Sequence, residues 1–296
     1  MAYGTPASRS EIEEYYTDIR GGRPPSAEAL NELTQRYRAI GGHSPLLKIT
    51  QEQAAGIQER IPGVTSYVGQ KHAAPFISDA MERLHADGID DVVGLVLAPH
   101  FSSMSVGDYE RRARAAATAV GWSGAFRMIH SWHLEPAFID LLAERVTRAL
   151  GHLSDPAREG AIVLFTAHSL PTKIVELGDP YPQQLQETAD AVAARAGLER
   201  WQIGWQSAGR TSVPWIGPDL LETMVDLAAK QVPAIVVCPC GFVADHLEVL
   251  YDLDIEARGL AGDLDIEFMR TDSLNADPSF LDMLAGVVRR AFELSA

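Results

Sequence analysis

Glu248, Asp252 and Glu256 recur four residues apart in this 296-residue chain, so on a helix they stack into one column of carboxylates. Three like charges in line destabilise a helix unless water, a proton or a cation relieves them. The column begins beside Asp245 and His246, and His168 closes a separate apolar run, Ile162–Ala167. Oxygen and imidazole donors together suit a divalent transition metal such as iron, cobalt or zinc. No spacing supplies the four closed ligands of a structural zinc site, so the pattern points to a metal that is bound weakly and handed on. The competing reading is a solvated helix face for the carboxylates and a carbonyl-satisfied histidine at 168.

Other reactive residues narrow the chemistry. Ser169 follows His168, but there is no Gly-x-Ser-x-Gly turn, and neighbours on a strand point to opposite faces, which excludes a serine hydrolase. Cys238 and Cys240 are the only cysteines, too few for an all-cysteine iron–sulfur cluster on one chain; small buried residues are the expected role. His100 and Phe101, after another apolar run, read as packing. Arg20, Arg23, Arg36, Tyr37 and Lys71 form a sparse set in the N-terminal half; its arginines could hold a carboxylate-bearing ligand in bidentate fashion, against a reading as solvated surface. Tyr3 and Tyr109 could stack on, or ligate, a flat aromatic ligand, although aromatics more often fill a core.

Apolar runs alternating with amphipathic stretches must position these groups, the pattern of a parallel sheet covered by helices on both faces. Strands are expected near residues 65–69, 92–98, 125–129, 162–167, 201–205, 234–238 and 265–269. Ser10-x-x-Glu13 reads as a capping box opening a helix to Arg20; a second helix is expected from Ser26 to Ile40, and a last one from Pro278 to Leu294. Side chains at the C-terminal ends of such strands face the ligand crevice, where His168 and the 239–242 turn both fall. Tyr3-Gly4-Thr5-Pro6 mirrors His168-Ser169-Leu170-Pro171, and Ala98-Pro99-His100-Phe101 mirrors the turn after Cys238. The same order twice suggests two similar halves, 1–153 and 154–296, with the boundary in the polar stretch 151–160. No apolar strand precedes Tyr3, so the first strand is expected to be short or missing and the sheet there weakened.

Composition limits the partners. The net charge of −15, with no basic stretch to offset it, argues against nucleic acid and anionic lipid surfaces. No run approaches the roughly 18 apolar residues of a spanning helix, and no signal peptide is visible. A reducing, cytoplasmic setting and a monomer are the expectations.

The motifs taken together closely resemble ferrochelatase, the enzyme family that inserts ferrous iron into a porphyrin. They are Tyr3-Gly4-Thr5-Pro6, Tyr15-Tyr16-Thr17-Asp18-Ile19-Arg20, Arg36-Tyr37-x-x-Ile40-Gly41-Gly42-x-Ser44-Pro45-Leu46, Ala98-Pro99-His100-Phe101-Ser102, Ala167-His168-Ser169-Leu170-Pro171, Gly178-Asp179-Pro180-Tyr181, Trp205-Gln206-Ser207 with Pro214-Trp215-Ile216-Gly217-Pro218, and Gly241-Phe242-x-x-Asp245-His246-x-Glu248. Any one is weak; eight in family order are specific. The resemblance implies an α/β fold of two Rossmann-like, chelatase-type domains around a porphyrin cleft. It implies His168 and Glu248 as the catalytic, metal-facing pair, with Asp252 and Glu256 continuing the metal path. The spellings around Tyr3 and Arg20 resemble the bacterial branch that uses coproporphyrin III. In that branch, Tyr3 matches an axial ligand of product iron, and Arg20, Arg36, Tyr37, Ser44 and Tyr109 match porphyrin contacts. The implied substrates are a porphyrin and Fe²⁺, with no permanently bound cofactor, no four-cysteine [2Fe–2S] cluster and a transient handover to a downstream haem-pathway enzyme. The alternatives are a protoporphyrin IX ferrochelatase, a sirohydrochlorin cobalt chelatase and a non-catalytic haem carrier.

Overall fold

A computed structural model describes residues 1–209 and 213–293; Leu294, expected to end the last helix, lies outside the described residues. The molecule is α/β, with parallel sheets flanked by helices. In the first half, β1 (Asp91–Leu95) pairs in parallel with β2 (Ala125–Ile129). In the second, β3 (Ile162–His168), β4 (Trp201–Gln206), β5 (Ala234–Cys238) and β6 (Glu267–Arg270) form a parallel sheet in the order β4-β3-β5-β6. β3 and β5 are central, and their runs Ile-Val-Leu-Phe-Thr-Ala and Ala-Ile-Val-Val-Cys are buried on both faces, as continuous apolar strands of a parallel sheet must be.

Helices α1 (Ile12–Ile19), α2 (Ala27–Ala39), α3 (Leu46–Arg60), α4 (Ile77–Ala86) and α5 (Val106–Ala119) belong to the first half. α6 (Pro136–Gly151) and the short α7 (Asp155–Gly160) lead into β3. After it come α8 (Lys173–Glu176), α9 (Tyr181–Ala196), α10 (Leu220–Ala229), α11 (Arg258–Asp263) and α12 (Pro278–Glu293). Two helices cross over: α6 packs on α9, β5 and β6, whereas α12 returns to α3, β1 and β2. Each half therefore lends a helix to the other, and Trp132 stacks on Phe138 of α6 and Phe280 of α12 where they meet.

Three local expectations change. The Ser10–Glu13 capping box does not form. Glu11 instead takes the amide of Ala7 at 3.0 Å and the hydroxyl of Ser8 at 3.0 Å, and a 3₁₀ turn, Arg9–Glu11, precedes α1. Ser26 does cap α2, accepting from Ala29 N at 3.2 Å. Residues 65–69 form no strand: Met1 and Ala2 alone wedge between this segment and the end of β1. Ala2 N donates to Gly69 O at 3.2 Å and Leu97 N to Met1 O at 3.0 Å. Beside these contacts lies an apolar cavity of about 450 Å³, bordered by Val64, Val68, Leu84, Val92 and Phe126. Finally, Val249–Ala257 winds as a π-helix, a wide turn that concentrates at functional sites, where the four-residue spacing predicts an α-helix.

Candidate active site

A cleft of about 620 Å³ opens between the C-terminal ends of the two sheets, lined by Tyr3, Tyr37, Ser44 and Tyr109 on one wall and by His168, Trp215, His246 and Glu248 on the other. This lies within the range of small-molecule sites.

The pairing of His168 with Glu248 rests on a glycine. Gly241 N donates to Thr166 O at 3.0 Å, drawing the turn after β5 against the end of β3. A Cβ at Gly241 would sit 2.8 Å from Ala167 Cα and 2.5 Å from its Cβ, so only glycine permits that approach. Glu248 is thereby carried to 3.7 Å from His168 Nε2 and 3.7 Å from His246 Nε2. Both imidazoles spend Nδ1 on a carbonyl: His168 on Ser169 O and His246 on Ala244 O. With each Nδ1 tied to a carbonyl, it is Nε2 of both rings that faces the carboxylate, and a protonated Nε2 can donate to it. Ser169 is fixed in turn, its amide donating to Gln206 O at 2.8 Å and its hydroxyl to Ile216 O at 2.6 Å. Burial raises the Glu248 carboxyl, but His168, the His246 hydrogen bond and Arg36 outweigh it and hold the group down to about 2. His246 moves up against its own burial because Glu248 favours its protonated form. The floor of the cleft thus offers an ionised carboxylate between two imidazoles.

The remaining carboxylates divide. Asp245 is consumed by structure, accepting from Ser273 Oγ at 2.8 Å and Asn275 Nδ2 at 2.9 Å. Asp252 and Glu256 lead away from the cleft. Burial, then the charge of Glu248, raises Asp252 to about 7, although Ser207 Oγ donates to it at 2.5 Å. Arg36 faces this column, not the cleft: it lies 3.4 Å from Asp252, 3.8 Å from Glu256 and 3.7 Å from Glu32, with its guanidinium 4.7 Å from the Tyr251 ring centre. Among the described residues, no three His, Cys, Asp or Glu side chains converge as one coordination sphere. His168 and Glu248 meet in the cleft, while Asp252 and Glu256 follow Glu248 along the π-helix.

On the opposite wall, Tyr3 is partly exposed and stacks at 4.6 Å on His72, which Asp18 holds at 2.5 Å. Tyr37 is buried and shares a 3.1 Å hydrogen bond with Thr5, its phenol raised by burial to about 12. Burial also raises the phenol of Tyr109. Ser44 Oγ accepts from Leu46 N at 3.3 Å at the start of α3. Arg20 does not line the cleft; it exchanges hydrogen bonds with Arg23 across a glycine turn. The cations that reach the rim are Lys71, Arg111 and Arg112, all sharing Asp108 at 2.5, 2.9 and 3.2 Å. Three cations on one carboxylate leave positive charge there, against the sign of the whole chain. Lys71 appears in the sparse basic set, but Arg111 and Arg112 sit in a helical run of mixed charge that reads as surface. Only the turn of α5 towards the cleft, beside Tyr109, reveals them.

Residues 1–292 match the family model described as ferrochelatase. The chain belongs to the ferrochelatase family. It is 47% identical to the coproporphyrin III ferrochelatase of Geobacillus sp. (strain WCH70), over 99% of this chain and 97% of that one. It is 48% identical to that of Anoxybacillus flavithermus (strain DSM 21510 / WK1), over 97% and 93%. Among solved structures, the sirohydrochlorin chelatase SirB from Bacillus subtilis subspecies spizizenii in complex with cobalt superposes with a TM-score of 0.58 at 13% identity, covering 83% of this chain and 90% of that one. At that identity the likeness is one of fold: this ferrochelatase is built on the chelatase architecture.

Proposed function

We propose that this ferrochelatase inserts Fe²⁺ into coproporphyrin III to give Fe-coproporphyrin III. The observation that carries the reading is the His168–Glu248 pair on the floor of a flat-ligand cleft whose rim bears the surplus cations Lys71, Arg111 and Arg112. A coproporphyrin brings four propionates to that rim, and the relatives named for this substrate span nearly the whole chain.

Metallation exchanges two pyrrole protons for one divalent ion. The macrocycle must pucker so that its nitrogen lone pairs face the incoming metal, and contacts along its edge offset that strain. His168 Nε2 and Glu248 lie where the pyrrole centre would rest, one able to accept a proton and the other to hold positive charge. Tyr3, opposite them, is the candidate axial ligand of product iron. Tyr37, Ser44 and Tyr109 complete the porphyrin wall. Arg20 and Arg36 remain candidates for propionate contacts only if they leave their present partners. Asp252 and Glu256 conduct hydrated metal inward or protons out. A monomer acting in the cytoplasm and passing its product to a downstream haem-pathway enzyme completes this reading; among the described residues no helix is long and apolar enough to cross a membrane.

The test compares coproporphyrin III with protoporphyrin IX as Fe²⁺ acceptors under a reductant. Faster turnover of coproporphyrin is expected, and preference for protoporphyrin would overturn the substrate assignment. Glu248→Ala should lower insertion by about 100-fold or more while porphyrin affinity persists; unchanged insertion would sink the catalytic assignment.

A further inference from the structure

The Asp179–Thr188 stretch, covering the approach and first two turns of α9, touches both walls of the cleft at once. Asp179 Oδ2 accepts from Ser102 Oγ at 3.1 Å, Ser103 N at 2.8 Å and Ser103 Oγ at 2.8 Å. Those donors sit in the loop after β1, whose His100, Met104 and Ser105 line the cleft. Gln184 Oε1 accepts from Phe101 N at 2.7 Å, and Thr188 Oγ1 meets His100 Nε2 at 2.9 Å. The other oxygen of Asp179 accepts from Tyr181 N at 3.1 Å. The Tyr181 hydroxyl donates to the carbonyl of His168 at 2.9 Å. Its ring is buried, packed against Trp205 at 5.8 Å and edge-on to His100 at 6.1 Å.

A carboxylate needed only to start α9 would satisfy its own helix. Here one oxygen does so, while the other collects three donors from the opposite half of the molecule. The chain of contacts runs from Ser102 and Ser103 through Asp179 and Tyr181 to the backbone of His168. That backbone position governs where His168 Nε2 points, because Nδ1 is already tied to Ser169. Rotation about Cα–Cβ is thus spent, and a shift of the residue-168 peptide becomes a shift of the imidazole against Glu248.

We propose that Asp179 and Tyr181 are a clasp that sets the spacing of the cleft walls: positioning residues for metallation, Asp179 through the 101–105 loop and Tyr181 through His168. Neither reaches the macrocycle's reacting atoms. The inference rests on the proposed function for its kinetic arm and is independent of it for its structural arm.

The structural arm uses ligand-free protein. Asp179→Asn should speed amide hydrogen exchange at Ser103 by about tenfold or more, and Tyr181→Phe should move the imidazole NMR resonances of His168, each with thermal midpoints held near wild type. In the kinetic arm, Tyr181→Phe should lower kcat about tenfold with KM for porphyrin unchanged and a shifted pH–rate profile. Asp179→Asn should act mainly on KM, because it frees the wall against which the porphyrin lies. Restoring the acceptor with Asp179→Glu should recover part of the loss. Unchanged Ser103 exchange and unchanged His168 resonances would overturn the clasp whatever the activity. Structural effects without a kinetic change would overturn the positioning role. Failure of the wild type to metallate any porphyrin would count against the function alone.

Discussion

In the second half of the chain, the strand leading to His168 is seven residues long, paired on both sides and buried through Ala167. In the first half, Met1 and Ala2 ahead of Tyr3 bond to Leu97 and Gly69, and an apolar cavity of about 450 Å³ lies beside Val64, Val92 and Phe126. Core packing follows the same division. The two faces of the β3–β5 layer feed two clusters, the larger of which also takes in Ile57, Ile61 and Trp132 of the first half, whereas the outer part of the first half is held by small clusters around Val96 and Tyr109 and around Met81 and Trp122. His168 and Glu248 belong to the half with the continuously paired sheet; the cleft tyrosines Tyr3, Tyr37 and Tyr109 and the rim cations belong to the half that holds the cavity.

Deleting large apolar groups should expose that contrast most strongly. Phe165→Ala in β3, a fully buried site, should cost about 4 kcal/mol in chemical denaturation. Phe126→Ala in β2 borders existing free space and should cost less than half as much; equal losses would remove the difference between the halves. Glycine substitutions come next. Gly241→Ala drives a Cβ into the Ala167 backbone and should cost about 3 kcal/mol and separate His168 from Glu248. Gly94→Ala meets only the ends of Met128, Phe126 and Met1 side chains and should cost about 1 kcal/mol or less.

A pH experiment probes the seam between the halves. His100 is buried between the loop after β1 and α9, and burial, with His133 adding to it, pulls its pKa down to about 3. The unfolded chain binds this proton near pH 6.5, so the contribution is intact above that value and is lost as pH falls towards 3. Wild type should therefore lose about 2 kcal/mol more than His100→Gln between pH 7 and pH 5, read from urea midpoints. Parallel losses would show that His100 protonates in place. The smallest effect is a gain: Ala54→Leu, filling the first-half cavity from α3, should add about 1 kcal/mol without altering metallation.

The sequence made the strong half easy to read. There β5 falls on its expected residues and β3 runs one residue further, because continuous β-branched and aliphatic runs leave few alternatives for a buried parallel strand; in the first half, β2 also falls where expected. The His168 and Glu248 convergence was legible because both follow such strands. Residues 65–69 have a strand's composition yet pair only at their end, since pairing depends on a neighbour no local pattern reports. Arg111 and Arg112 stayed hidden because a mixed-charge helix looks alike whether it faces water or a cleft. The crossing of α6 and α12 is equally invisible, as both are ordinary amphipathic helices whose partner sheet is set by tertiary packing. The family resemblance makes both Arg36 and Tyr37 porphyrin contacts, but adjacent helical residues point about 100° apart, and the structure sends Tyr37 to the cleft and Arg36 to the carboxylates.

With Arg36 lodged against Asp252 and Glu256, the column resembles an ion-exchange resin already loaded with a tethered counterion. On the proposed metal route, an arriving divalent ion would have to displace this guanidinium before it could use either carboxylate, so the column is already neutralised in part before any ion reaches it.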